Sequence, residues 1–448
     1  MTTNIARDYR NYDVLLFLLP PHWLKTPPLS LIYLENFLSS KAIRVKIIDL
    51  NILFFRLLNS SQKEWLQLNT DFESSIFNKI KDHQPRILDE IIVNIIDSNA
   101  KIIGFSVFGR NHKATMDAAS FLLEQKISKT FVFGGPEILF EYCRDKFFEE
   151  FQYPDSYFVL GEGELPLLYL AQNKQEKFNL HKDRRLIAYE EIDNLDNLDF
   201  INFDCLDLKS HDSKVIPLLS SRGCIKRCCF CSEYKLYSKF RQHSASYMAE
   251  QILFLQEKYK INTFSFQDSL INANLKWLDD FCTGIIKKNM EIKWEAQLAI
   301  RPEMDIRLFL KMKKSGCYNL FVGLESASDN TLLRMQKGYN RQDAKNFLRK
   351  LADANLQFEI SLIAGFPQET EKDFKETISF IKENKSIIPK IAQLNPFVCY
   401  EPSQINREIE RGASLERVRI LTKLFKQEKI RFTPAYINNL TTDENKPN

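Results

Sequence analysis

The feature that most constrains this chain is the run Ser221–Cys231, which contains four of its nine cysteines. Three of them, Cys224, Cys228 and Cys231, have C-x3-C-x2-C spacing. Three thiolates on one tight loop can bind three corners of a cubane iron–sulfur cluster. Because no fourth protein ligand is apparent, the spacing predicts a [4Fe-4S] cluster with one iron open to a cofactor or substrate.

The same three cysteines with His243 also match a structural zinc site of the Cys3His type. This alternative would make the chain a zinc-stabilised binding protein without catalysis. Adjacent Cys229 is expected to be a buried thiol that belongs to neither site.

Composition indicates a soluble protein of two or three domains, with 448 residues, 44% hydrophobic residues and a net charge of +4. So small a net charge gives no indication of a nucleic-acid partner. The polar segment Met1–Tyr12 does not resemble a signal peptide, and Val14–Leu19 is too short to span a bilayer. We therefore expect a cytoplasmic enzyme without a transmembrane segment, which fits reduced cysteines.

The carboxyl-terminal half, residues 214–400, alternates short apolar runs with helical patterns. Val215–Leu219 is predicted to be a strand that leads directly into the cysteine loop. Five more strand–helix units follow, which predicts a partial (β/α)6 TIM-type barrel with its site at the carboxyl ends of the strands. The later strands are predicted at Thr263–Phe266, Lys293–Gln297, Asn319–Val322, Gln357–Leu362 and Ile391–Phe397.

The cysteine spacing resembles that of the radical S-adenosylmethionine (SAM) superfamily, and Phe230 before the last cysteine fits the pattern. The resemblance implies that the open iron binds SAM and that reductive cleavage yields a 5′-deoxyadenosyl radical. It also implies an external electron donor of the flavodoxin or ferredoxin type. The cofactors would supply the difficult chemistry, and the protein would orient them.

Several strand ends in the barrel resemble family motifs that bind SAM. Gln267 and Asp268 end the second strand, and Trp294-Glu295-Ala296 followed by Arg301 resembles a W-x-A-x-x-R pattern. Glu325 belongs to a G-x-E-S-like signature. The resemblance makes these residues, with Phe230 and Gly365, candidate cofactor contacts. As alternatives, Arg301 could pair with Glu295 or Asp305, and Glu325 could form a salt bridge at the rim.

Two positions depart from the family pattern. Gln368 replaces a glycine in the turn Gly365–Thr370, which resembles G-x-P-G-E-T. Glu401-Pro402-Ser403 stands where a Pro-Gly-Thr turn is usual.

The amino-terminal third, residues 1–175, contains five apolar runs separated by helical segments, which predicts a Rossmann-like parallel sheet. Ligands of such sheets bind beyond the carboxyl ends of the strands. The glycines at those ends allow close backbone approach, or they are simply turn residues. The runs are Val14–Leu19, Val45–Asp49, Ile102–Val107, Thr130–Phe133 and Tyr157–Leu160.

The strand ends carry short motifs that together resemble the cobalamin-binding domain preceding many radical SAM domains. These motifs are Pro20-Pro21, Pro27–Leu31, Ile48–Asn51 (IDLN), Gly134–Glu137 (GGPE) and Gly161–Glu164 (GEGE). The resemblance covers about residues 12–175 and implies a second cofactor, cobalamin. Phe108–His112 does not match the Asp-x-His-x-x-Gly motif that supplies an axial histidine, so a bound cobalamin would lack one, and a degenerate domain without cobalamin stays open. The candidate contacts are Ser106, Gly134, Gly135, Glu137, Gly161, Glu162 and Gly163.

Three remaining segments are harder to interpret. Residues 52–98 suggest either an inserted helical cap or an outer layer of the sheet. Residues 176–213 are predicted to be a linker, and residues 401–448 a short helical extension, in which Leu415–Arg431 is a barrel-packing helix.

The two resemblances together imply an α/β enzyme that uses SAM, a [4Fe-4S] cluster and cobalamin to methylate an unactivated carbon or phosphorus centre. The substrate would be a natural product, a lipid or a peptide. The runner-up is radical cyclisation, crosslinking or rearrangement without methyl transfer. No residue can be singled out as a catalytic acid or base. A methylthiotransferase is disfavoured, because the amino-terminal third lacks a second three-cysteine set.

Overall fold

The computed structural model describes residues 9–58, 65, 76–109, 111–178, 180–181, 185–188, 190–211, 214–397 and 411–433. The chain divides into two compact units, Met1–Lys214 with Lys235–Ser238, and Val215–Tyr234 with Lys239–Asn448. Cys399, Glu401-Pro402-Ser403 and the terminal segment from residue 434 lie outside the described residues.

The first unit contains the predicted parallel sheet. Its first five strands pair in the order β2-β1-β3-β4-β5, which confirms the Rossmann-like prediction. These strands are β1 Val14–Leu18, β2 Val45–Asp49, β3 Ile102–Ser106, β4 Thr130–Gly134 and β5 Ser156–Val159.

Two further short strands extend this sheet, β6 Leu180–His181 and β7 Leu186–Ile187. Both lie in the segment that the sequence indicates as a linker. The apolar side chains of Leu186 and Ile187 are buried, which explains why this piece joins the sheet although its neighbours are charged.

Helices cover the sheet of the first unit. Residues 52–98 contribute to this cover, since Ile80, Leu88 and Ile95 belong to the same apolar core as the strands. The segment is therefore an outer layer of the sheet in its described parts. The helices are α1 Leu29–Ser40, α2 Leu50–Leu57, α3 Ile76–His83, α4 Pro85–Ile96, α5 His112–Glu124, α6 Glu141–Glu150 and α7 Glu164–Ala171.

The second unit is an open six-stranded parallel sheet in the order β15-β14-β13-β12-β11-β8, as expected of a partial barrel. The strands are β8 Ile216–Leu218, β11 Thr263–Phe266, β12 Lys293–Leu298, β13 Cys317–Glu325, β14 Phe358–Ala364 and β15 Ile391–Pro396. The short strands β9 Ser221–Arg222 and β10 Arg241–Gln242 pair antiparallel.

Alternation along the strands explains the two faces of this sheet. Phe264, Phe266 and Trp294 are buried. Ser265, between the two phenylalanines, and Glu295, which follows Trp294, are partly exposed. The carboxyl-terminal helix packs on β14 and β15 through Val418 and Phe425, which confirms its predicted packing role. The helices are α8 Ala245–Tyr259, α9 Leu275–Lys287, α10 Ile306–Lys314, α11 Asp329–Arg334, α12 Arg341–Asp353, α13 Glu371–Asn384 and α14 Arg411–Gln427.

Candidate active site

The cysteine loop begins at the carboxyl end of β8, and the pairing of β9 with β10 closes it at its base. Gly223 enters the loop with φ of +88°, and a Cβ there would lie 3.1 Å from the carbonyl oxygen of Lys239. Only glycine meets both demands without strain. Within the loop, the N–H of Cys231 donates to the carbonyl of Cys228 at 3.0 Å.

All three cysteines line one cavity of about 250 Å³ at the carboxyl ends of the barrel strands. Phe230, Gln267 and Glu325, which the sequence predicts as SAM contacts, line it too. The structure therefore brings half of the predicted barrel contacts together with the cluster ligands. The other three, Asp268, Arg301 and Gly365, lie outside the cavity lining.

The thiols of the loop are set in a partly apolar environment. Burial is the largest cause that raises the pKa of Cys231 to about 12, and it raises the pKa of Cys224 as well. Metal binding would therefore have to displace protons from these thiols.

The structure gives the Cys3His zinc alternative no support. Within the described ranges, no three His, Cys, Asp or Glu side chains lie close enough to bind a single metal ion. In a cubane cluster each thiolate binds a different iron, so three thiols around a shared cavity fit a cluster better than one zinc ion.

Asp268 anchors the start of the cysteine loop from behind the cavity. Its carboxylate is fully buried and accepts hydrogen bonds from the backbone N–H of Ser220, at 3.0 and 3.1 Å, and from the hydroxyls of Ser220 and Ser221. Burial is the main cause that raises the pKa of Asp268, against the effect of these donors.

Arg301 is held by the backbone rather than by Glu295 or Asp305. Its guanidinium donates to the carbonyl oxygens of Asn272 and Ala273 at 2.7 and 2.8 Å and pairs with Glu303 at 2.6 Å. The side chain thus ties the segment after β11 to the segment after β12.

Glu325 lies at a bulge in the pairing of β13 with β14, and its own φ is +63°. Bulges of this kind re-aim a side chain next to a site. Its carboxylate accepts from Ser361 at 3.0 Å and lies 3.4 Å from the ammonium of Lys337, which also lines the cavity. Glu325 therefore forms a salt bridge at the rim and also lines the cavity, so the two alternatives that the sequence left open are both realised.

Sequence reasoning missed three charged residues of the cavity lining, Lys226, Lys337 and Glu233. Lys337 follows the G-x-E-S-like signature and lies over the rings of Phe230 and Tyr339. Glu233 accepts from Ser269 at 3.0 Å, and burial raises its pKa. Its position two residues after Cys231 was the available signal.

The turn Gly365–Thr370 keeps its shape without the usual glycine. Gln368 has φ of +60°, and Arg334 donates to its carbonyl and side-chain oxygens at 2.8 and 3.0 Å. These bonds offset part of the cost of the left-handed backbone. A Cβ at Gly365 would lie 2.4 Å from the hydroxyl of Ser414, so this glycine serves helix packing.

In the first unit the predicted cobalamin contacts lie at the ends of β3, β4 and β5. Ser106 ends β3, and Glu137 is buried and accepts from Tyr142 at 3.0 Å. Glu162 accepts from the N–H of Ile192 at 3.1 Å. Gly161 and Gly163 stand between β5 and α7, where a Cβ on Gly163 would lie 3.1 Å from Leu34.

The two glycines at the end of β4, Gly134 and Gly135, differ in whether the backbone requires a glycine at that position. Gly135 has φ of +110°, and a Cβ there would lie 2.5 Å from the carbonyl oxygen of Val107. A Cβ on Gly134 would meet Val159 at an ordinary 3.8 Å. The backbone therefore requires Gly135, whereas Gly134 is free to carry a side chain.

Two buried asparagines form hydrogen bonds near the ends of β1, β2 and β3, and sequence reasoning missed both as site residues. Asn111 donates to the carbonyls of Leu19 and Ser106 at 3.1 Å. Asn51 accepts from the N–H of His22 at 2.8 Å. Neighbouring His112 is half-buried, and its Nδ1 lies 3.0 Å from the carbonyl oxygen of Gly109.

Residues 218–381 match the model of the Radical SAM superfamily. Radical SAM enzymes use a [4Fe-4S] cluster and SAM as cofactors, and the three cysteines around one cavity fit such a cluster.

The chain is similar in sequence to named methyltransferases and cyclases. It is 28% identical over 246 residues, half of this chain and 52% of the relative, to an uncharacterized methyltransferase of Pyrococcus horikoshii. It is 21% identical to the anaerobic magnesium-protoporphyrin IX monomethyl ester cyclase of Synechocystis, over 74% of this chain and 63% of the cyclase. The chain spans about half the length of the curated relatives it matches.

Solved structures share the fold over most of the chain. The cobalamin-dependent SAM radical enzyme OxsB, with aqua-cobalamin and SAM bound, matches with a TM-score of 0.65 at 17% identity, over 93% of this chain and 56% of OxsB. The radical SAM methyltransferase TsrM from Kitasatospora setae matches with a TM-score of 0.65 at 14% identity, over 86% of this chain and 75% of TsrM.

No helix in the described part of the chain is both long and apolar enough to cross a bilayer.

Proposed function

We propose that this protein is a cobalamin-dependent radical SAM enzyme that methylates an unactivated carbon or phosphorus centre of a natural product, lipid or peptide. The observation that carries the proposal is the order of folds along one chain. A Rossmann-like sheet with glycine-rich strand ends precedes a barrel whose cavity is lined by Cys224, Cys228 and Cys231. OxsB and TsrM, which share this fold, are cobalamin enzymes by name.

When bound, the cluster and SAM supply a substrate radical, and cobalamin supplies the methyl group. The chain's own residues bind and orient these groups. The three cysteines would hold the cluster, and Asp268 would fix their loop through Ser220 and Ser221.

The cavity carries charged side chains of both signs, which suits the charges of SAM. Glu233 and Gln267 would accept from the ammonium group, and Lys337 would pair with the carboxylate. Arg301 was the sequence-based candidate for the carboxylate, but its guanidinium is engaged by two backbone carbonyls and Glu303. Two lysines, Lys226 and Lys337, line the cavity, and of these we favour Lys337, which lies over the ring of Phe230 and beside Glu325.

The first unit would bind cobalamin at the ends of β3, β4 and β5. Gly134 and Gly161 would permit backbone approach, with Ser106, Glu137 and Glu162 nearby in the chain. Cob(II)alamin bound there is expected to show no nitrogen splitting from a histidine in its electron paramagnetic resonance spectrum. A triplet lost in His112→Ala would contradict this part of the proposal.

The test is the product pattern of anaerobically reconstituted protein with a reductant and the substrate. Methyl transfer by this route consumes SAM twice, so S-adenosylhomocysteine and 5′-deoxyadenosine should form in comparable amounts. We expect that a flavodoxin or ferredoxin can supply the electron in this assay in place of the chemical reductant.

A second candidate is radical cyclisation or rearrangement without methyl transfer. The similarity to the magnesium-protoporphyrin IX monomethyl ester cyclase, which covers 74% of this chain, favours it. Formation of 5′-deoxyadenosine without S-adenosylhomocysteine, with substrate and cobalamin bound, would support this candidate over the first.

A further inference from the structure

A chain of hydrogen bonds runs from the cavity into the interior of the barrel. Ser265 on β11 stands opposite Glu295 on β12 in the strand register. The flanking side chains of Phe264, Phe266 and Trp294 are buried, so Ser265 and Glu295 lie on the other face of the sheet. No motif of the sequence accounts for this polar pair.

The direction of each hydrogen bond in this chain follows from the chemistry of its members. Glu295 as a carboxylate only accepts: it receives the hydroxyl of Tyr318 at 2.6 Å and that of Ser265 at 2.9 Å. Ser265 has one hydroxyl proton, which it gives to Glu295. Its oxygen must therefore accept from its third neighbour, the amide of Gln267, at 2.9 Å.

This order of donors fixes which end of the Gln267 amide faces the cavity. One N–H of the Gln267 amide donates to Ser265, which turns the NH2 group toward Ser265 and leaves the carbonyl oxygen as the acceptor presented to a ligand. Such orientations follow from the network around an amide rather than from its shape. The carbonyl oxygen of Gln267 can accept a hydrogen bond from a ligand N–H, whereas it repels a ligand carboxylate.

We propose that Glu295 and Ser265 are positioning residues that hold the carbonyl oxygen of Gln267 toward the α-ammonium group of SAM. The inference rests on the proposed function, since it takes SAM as the ligand of the cavity. Glu233, which also lines the cavity, offers carboxyl oxygens that can accept a hydrogen bond from the same donor. The ammonium is the cationic donor of the methionine portion of SAM.

The discriminating variant is Glu295→Gln, which keeps size but can donate. Its amide would donate to Ser265, whose hydroxyl would then turn toward Gln267, and the Gln267 amide would rotate to place NH2 in the cavity. We expect the dissociation constant for SAM to rise at least about tenfold. An analogue of SAM that lacks the α-amino group should bind wild type and variant equally.

Glu359→Gln is the matched control, because Glu359 on β14 is a partly buried strand carboxylate paired with Lys390 at 3.0 Å. It should leave the preference for SAM over the deaminated analogue unchanged. Ser265→Ala, which removes the acceptor of the Gln267 NH2, should reduce the preference even if Glu295→Gln folds poorly. All variants are compared at equal iron content.

The two possible failures are distinguishable. If wild-type protein neither holds a cluster nor binds SAM, the proposed function fails. If wild-type protein binds SAM but Glu295→Gln and Ser265→Ala weaken SAM and the deaminated analogue equally, or weaken neither, the positioning inference is overturned.

Discussion

The buried carboxylate of Asp268 accepts both the backbone N–H and the hydroxyl of Ser220, four residues before the first cysteine of the loop. Asp268 thereby connects the end of β11 to the start of the cluster loop. A group in this position acts on the cluster through the loop, in contrast to the direct SAM contact that the sequence indicates.

Asp268→Asn should therefore reduce iron content as well as SAM cleavage. The Asn amide keeps one acceptor oxygen, but its NH2 group would face the N–H of Ser220, and two donors cannot bond to each other. The lost hydrogen bond matters because bonds to a charged group are worth about 1.5–3 kcal/mol. We expect less than half of the wild-type iron after anaerobic reconstitution, measured together with the thermal midpoint. The exposed Asp305→Asn serves as the control. Full iron content with weakened SAM binding would instead support a direct SAM contact.

Cysteine variants separate cluster ligands from structural thiols. Cys224→Ala, Cys228→Ala and Cys231→Ala should each abolish SAM cleavage, because each removes the ligand of one iron. Cys229→Ala should retain cleavage and about four irons per chain. The thiol of Cys229 donates to the carbonyl of Arg334 at 3.1 Å and packs beside Met335 and Phe366, so its loss should cost only about 1 kcal/mol. Colourless protein with one zinc per chain would contradict the cluster.

Glycine variants in the first unit test cobalamin binding. Gly134→Val should reduce the cobalamin that is retained, with little change in thermal midpoint, because its Cβ has space within the protein. Gly135→Ala should lower the midpoint with or without cofactor, because its Cβ would collide with Val107. The difference matters, since a loss of cobalamin in a Gly135 variant would report only misfolding. Unchanged retention in Gly134→Val would argue against cofactor approach at this strand end.

The strands and the cysteine loop could be predicted from sequence because period and spacing are local signals. Apolar runs such as Ile102–Ser106 fall within one residue of their predicted bounds. The direction in which a long side chain points is not determined by its neighbours in sequence. Arg301 resembles part of a motif, but its guanidinium donates to two backbone carbonyls in the segment after β11. Tertiary contacts decide such cases, and no pattern along the chain records them.

The same reasoning explains why the network behind Gln267 was not foreseen. Glu295 was considered only as a partner for Arg301, because the two are close in sequence. Its actual partners, Ser265 and Tyr318, lie 30 and 23 positions away and meet it only through the strand pairing. A register that depends on a bulge near Trp294 cannot be predicted from composition.

Variants of Lys337 and Arg301 should identify the carboxylate partner of SAM. Lys337→Met is expected to raise the dissociation constant for SAM at least about tenfold and to remove the preference for SAM over its decarboxylated analogue. Lys337→Arg should retain part of that preference. Arg301→Lys should keep the preference, since Arg301 bonds the backbone. Loss of the preference in Arg301→Lys, with Lys337→Met unaffected, would restore the sequence-based assignment.

A buried acid at the end of β2 makes the stability of the first unit depend on pH. Asp49 is enclosed, its Oδ2 has no hydrogen-bond partner among the described residues, and the nearest base, His211, lies 3.6 Å away. Burial lowers the pKa of His211, so this imidazole is neutral near pH 7. Burial raises the pKa of Asp49 from 3.8 to about 6.

Because the folded pKa of Asp49 lies above its unfolded value, the stabilising contribution is complete below pH 3.8 and is lost as pH rises through about 6. Asp49→Asn removes this penalty and keeps an oxygen to accept the N–H of Ile52, which Asp49 now accepts at 3.0 Å. The variant should thus gain stability over wild type by about 1 kcal/mol more at pH 8 than at pH 5. Asp13→Asn is the pH-independent control: Arg44 lowers the pKa of Asp13, so the stabilising contribution of Asp13 is complete above pH 3.8 and its loss should be the same at pH 5 and pH 8. Thermal or urea unfolding without cofactors at the two pH values measures both, and an equal gain for Asp49→Asn at pH 5 and pH 8 would contradict a titrating buried acid.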